Sequence, residues 1–214
     1  MDVVLPGPQR RTGIAAVSAG ALLFGSVAGE LVHQVQRPDG TVTEPVLFAV
    51  LLSAWTLGVA SLMVAIAGIS AGTDQRDERR RVAGRRTSLV GAGLLCAFGL
   101  AVLVAGLASG QPVEASFLLF ALGLLLSAVG HTMLALGLRR TGALGRWWLA
   151  PLVAAGGALA AVLVFSDPWH DLALFTFDAT WVALGVHLLR VHLPAADDQD
   201  RRVDLRRRPE GSSR

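Results

Sequence analysis

The chain has 214 residues, of which 53% are hydrophobic and only 16% charged, a balance far from that of a soluble domain of this length. Its formal charge of +3 rests on Arg alone, because Lys is absent. In a soluble chain a basic excess would point to nucleic acid, but here nearly every Arg flanks an apolar block. The expected partners are therefore the lipid bilayer and its anionic head groups, with no nucleic acid. Arg in place of Lys, with Ala, Gly, Val and Leu dominant, is a usage associated with GC-rich bacterial coding.

In chain order, residues 1–12 read as a short cytoplasmic tail containing Pro6-Gly7-Pro8. An apolar block over 13–32 then predicts the first helix, with Glu30 and His33 near its outer end. Arg10-Arg11 ahead of a run that reaches Ser26-Val27-Ala28 also fits a signal peptide with a small-residue cleavage site. Cleavage would leave five spans and break the charge pattern described below. The second block covers 46–71, the third 89–108 and the fourth 117–138, where Gly123, Ser127 and His131 share one helical face. The fifth covers 147–165, with Pro151 in its first turn, where proline is tolerated. The sixth covers 172–189 and carries Asp178 and His187. Residues 194–214 read as a disordered cytoplasmic tail in which Asp197, Asp198 and Asp200 precede an Arg-rich run.

Each block is long enough, as a helix, to cross about 30 Å of hydrocarbon. A soluble helical protein would need charged faces, which 89–108 and 147–165 lack. Strand-like alternation is absent, so a barrel is excluded as well. The predicted fold is an all-α, polytopic six-helix transmembrane bundle. Eighteen of the nineteen Arg flank the blocks on one side, and only Arg37 falls on the other, alongside Asp39, Glu44, Glu114, Asp167 and Asp171. By the positive-inside rule both termini are cytoplasmic, in a multi-pass protein of the plasma (inner) membrane. The order also reads as three helical hairpins, each closed outside by a connection with Pro and an acid. Any membrane hairpin needs an outer turn and an inner positive stop, so this does not by itself establish repetition.

Small residues four apart, at Ala21, Gly25 and Gly29, at Gly68 and Gly72, at Gly106 and Gly110, and at Gly156 and Ala160, predict close helix contacts. The same stripes offer self-association or a membrane-protein partner as the other outcome.

Ionisable residues within the blocks are the candidates for function, because burying them in hydrocarbon is costly. Asp178 is the candidate coupling carboxylate of a transporter, with a structural hydrogen bond to nearby Ser, Thr or Trp as the plainer reading. His131 and His187 fall at comparable depth on two helices of the same direction, as a bis-imidazole haem site requires; the plainer reading of His131 is a packing seam with a polar hydrogen bond. Glu30, His33, Glu114, Asp167, His170 and Asp171 form a third group, of His and carboxylates at the outer face, without the spacing of a known metal motif. Phosphate-loop, dinucleotide-fingerprint and nucleophile-elbow signatures are absent, and the lone Cys96 supplies neither a disulfide nor a thiolate metal site. The expectation is a non-enzymatic, permease-like membrane protein or a subunit of a membrane assembly, without a cofactor. The alternative is a redox or haem-binding protein using His131 and His187, or a membrane-embedded enzyme.

Overall fold

The computed structural model describes residues 8–36, 45–69, 78–109, 116–141, 144–164 and 169–191. The expectations for Arg37, Asp39, Glu44, Gly72, Arg76, Gly110, Glu114, Asp167 and the two ends, 1–7 and 192–214, lie outside the described residues. Within them the chain is all helical: α1 (Pro8–Gln36), α2 (Pro45–Ile69), α3 (Glu78–Ser109), α4 (Ser116–Thr141), α5 (Leu149–Leu163) and α6 (Trp169–Val191), with a 3-10 turn at Gly145–Trp148 ahead of α5. Six segments, the fifth being this turn together with α5, are long and apolar enough to cross a membrane.

The helix ends have local causes. α1 and α2 each open on a proline, Pro8 and Pro45, whose fixed φ and missing N–H suit the first helical position. α1 therefore starts inside the stretch read as a tail and continues without a break through Ser26-Val27-Ala28. α3 begins at Glu78, eleven residues before the apolar block at Leu89, and takes in Arg79, Arg80, Arg81, Arg85 and Arg86. Hydropathy marks where hydrocarbon begins, whereas Arg is a good helix former, so helix and apolar block need not start together. α5 has only 15 residues, about 22 Å of helix, and the 3-10 turn adds about 8 Å, enough together to match the hydrocarbon. Gly145 starts that turn at φ 53°, a left-handed conformation that favours glycine.

α1 packs on α2 and α6, α3 on α2 and α4, and α5 on α4 and α6. The closest approaches run through glycines. Gly13 and Gly20 of α1 meet Gly185 and Asp178 of α6, while Gly84 and Gly91 of α3 meet Gly130 and Gly123 of α4. In both pairs the order reverses, so these helices run antiparallel, and in both the glycines are seven residues apart. The four-residue stripes of the sequence are used less. A Cβ on Gly25 or Gly156 would meet nothing within 4 Å, whereas Gly29 faces Leu51 and Gly68 faces Thr12.

Burial is inverted relative to a soluble protein. The interior is rich in Ala, including Ala16, Ala19, Ala92, Ala154 and Ala158, and the outward faces carry Val50, Leu57, Val104, Leu118 and Leu163. Small residues inside let backbones approach, and large aliphatic ones outside suit lipid chains.

Candidate functional site

Asp178 stands in the third turn of α6 and is only 2% exposed. It faces a small cavity of about 20 Å³, walled by Leu23 and Val27 of α1, Val59 of α2, Leu95 of α3 and Leu124 of α4. That volume holds about one water molecule. Trp55 and Phe120 also line the cavity, and they belong to an aromatic group: Trp55 and Phe98 are 5.6 Å apart, Phe98 and Phe120 5.1 Å, and Phe120 and His170 6.0 Å. These rings lie between the cavity and the helix ends that carry His170. Towards the Arg-rich ends the core is filled by Ile66, Leu134, Leu138 and Leu184, each under 2% exposed. No hydrogen-bond donor among the described residues reaches Asp178 Oδ2. Thr176 and Thr180, two residues away on either side, point from another face of α6 and bond their own helix: Thr176 donates to Leu172 O at 2.9 Å and Thr180 to Thr176 O at 2.7 Å.

His131 is fully buried. Its Nδ1 lies 2.6 Å from Ser127 O and 3.4 Å from Ser88 Oγ. A carbonyl oxygen can only accept, so Nδ1 carries the hydrogen and Nε2 is left as an acceptor. Nε2 has no partner among the described residues, and neither does Trp181 Nε1, although the two rings stand edge to face at 5.3 Å. Phe177 flanks the imidazole at 5.7 Å.

His187 is placed differently. Its ring is half-buried and stacks on Trp147 at 4.5 Å with 14° between the planes, whereas the His131 ring lies against Phe177 and Trp181. The expected comparable depth is not found. Phe120 pairs with His170 and His131 with Trp181, so α4 and α6 run in step and His187 lies six residues, about 9 Å, beyond the level of His131. Part of that difference comes from the start of α6, which lies at Trp169 and not at residue 172, and the rest from α6 starting beside residue 119, three residues into α4. Neither imidazole lines the cavity.

Of the outer His and carboxylate group, Glu114 and Asp167 lie outside the described residues, and among the described ones no set of three potential metal ligands comes together. His170 instead offers Nδ1 to Ala161 O at 2.8 Å, satisfying one of the last carbonyls of α5.

Three features went unnoticed in the sequence. Trp181 is the ring neighbour of His131. Arg81 is the one Arg among the described residues that is buried, at 7% exposure. The seven-residue glycine spacing, 13 and 20, 84 and 91, 123 and 130 and 137, was visible and is the signal that marks the helix contacts. No family model, curated protein or solved structure matches the chain.

Proposed function

We propose that the protein is a non-enzymatic, permease-like protein of a bacterial plasma membrane, with Asp178 as the carboxylate that couples its movement to a proton. Its helices form a bundle of three helical hairpins with both termini cytoplasmic. The end-to-end charge supports this orientation: all eleven described Arg lie at one end of the helices, as the positive-inside rule requires.

The observation that carries the reading is the Asp178 carboxyl, with an oxygen that lacks a hydrogen-bond partner among the described residues, beside an otherwise apolar cavity of about 20 Å³. An acid at the centre of a spanning helix costs about 2.5–3.5 kcal/mol, and helix packing does not require one here. A metal cation would need several oxygen ligands, whereas among the described residues Asp178 supplies the only side-chain oxygens lining the cavity. A proton needs only the carboxylate.

A second reading, a subunit of a larger membrane assembly, is favoured by the cavity volume, which admits no solute larger than water. Vesicles containing the purified chain and a trapped pH dye separate the two. Under an imposed potassium diffusion potential, proton entry should exceed that of empty vesicles and fall to their level in Asp178→Asn. Equal entry in both proteins would remove the coupling role, and no entry in either, with a protein partner retained on purification, would favour the assembly subunit.

A further inference from the structure

Arg81 is the fourth residue of α3 and turns inward, unlike its neighbours Arg79 and Arg80, which are exposed. It lies on the face that α3 turns to α4, in line with Gly84, Ser88 and Gly91, and a Cβ on Gly137 of α4 would sit 3.4 Å from its own Cβ. Its Nη1 is buried and has no hydrogen-bond partner among the described residues. A guanidinium does not deprotonate in proteins, so an unpaired one in this position calls for an anion.

The surrounding side chains add to that demand. Arg85 follows one turn later on the same face and is half-buried, and Arg139 and Arg140 are exposed at the end of α4. Arg139 is turned aside, its guanidinium 5.1 Å above the Trp148 ring. Glu30 and Asp171 belong to the far ends of their helices and Asp178 to the core. Arg81 precedes the apolar run at Leu89 by about 12 Å of helix, which puts it among head groups and outside hydrocarbon.

We propose that Arg81 and Arg85 form a phosphate-binding site for the head group of an anionic phospholipid where α3 begins and α4 ends. The site rests on the membrane placement proposed above and is independent of Asp178. A guanidinium fork matches two phosphate oxygens, and the close α3–α4 packing around Gly84 and Gly137 would be fixed by the lipid that neutralises it.

The test is native mass spectrometry of the full chain in nonionic detergent, loaded with phosphatidylglycerol or with phosphatidylcholine of the same acyl chains. The wild type should retain phosphatidylglycerol preferentially, Arg81→Gln should retain about tenfold less, and Arg81→Lys should fall between. Arg10→Gln and Asp178→Asn should match the wild type, which separates this site from the coupling role. If Arg81→Gln fails to fold, Arg81→Lys and Arg85→Gln carry the comparison. Undiminished retention in the variants that fold overturns the site. Displacement of the lipid by millimolar inorganic phosphate overturns the lipid as its occupant while keeping the phosphate chemistry. A gain in lipid retention when Asp197, Asp198 and Asp200 are all changed to Asn, seen only with Arg81 present, would make the chain's own carboxylates the occupant and overturn the proposal.

Discussion

Gly20 of α1 lies so close to Asp178 of α6 that a Cβ added to it would stand 2.5 Å from the Asp178 carbonyl oxygen and 2.6 Å from Val182 Cγ2. The helix that carries the candidate carboxyl is thus held by direct backbone contact. Gly20→Ala must push α6 outward, and overpacking of this kind costs about 1–3 kcal/mol. Gly25→Ala meets open space and is expected to be neutral or slightly stabilising, since Ala is the better helix former. Thermal unfolding of the two variants in one detergent checks this, and equal midpoints would contradict the packing described.

His131 is expected to act as a packing residue. Ser127 O also accepts the helix N–H of residue 131, so removing the ring donor orphans no carbonyl, and His131→Phe should cost about 0.5–1.5 kcal/mol. His131→Ala removes a fully buried ring beside Phe177 and Trp181 and should cost about 2–5 kcal/mol. Denaturation in mixed micelles ranks the two, and His131→Phe as damaging as His131→Ala would mean that the hydrogen bond outweighs the packing.

The same histidine bears on haem. Expression with added haem should give no Soret band that depends on both His131 and His187, because their rings have different neighbours. A band lost in both His131→Phe and His187→Ala would restore the bis-imidazole reading.

Orientation is open to a direct check in a Cys96→Ala background. An impermeant maleimide should label Glu30→Cys in intact cells and Gln9→Cys only after lysis. Both positions are helical, at opposite ends of α1, so the reverse pattern would invert the proposed topology.

The six apolar segments could be read from the sequence because hydrocarbon demands uninterrupted runs, and each run reports on itself. Helix ends were less legible. The Arg79 to Arg86 stretch is polar yet helical, and hydropathy registers only polarity. The side-chain setting of Asp178 depended on four other helices, α1 to α4, whose side chains wall the cavity. The depth of His187 depended on where α6 begins, a boundary that hydropathy missed by three residues, and on how far α6 is shifted along α4, which no single block reports. Burial of Arg81 was partly encoded, since it shares a seam with Gly84, Ser88 and Gly91, but the length of the Arg-rich run hid that stripe.

The role of Asp178 is tested most directly by a hydrophobic carbodiimide, which adds to a carboxylic acid and rearranges to a stable acylurea. A cavity of about 20 Å³ admits such a reagent only when the helices part. In vesicles under a potassium diffusion potential, the adduct at Asp178, followed by peptide mass spectrometry, should accumulate in proportion to the loss of proton entry. Proton entry that persists after Asp178 is fully modified, or that is the same in Asp178→Asn as in the wild type, would contradict the coupling role.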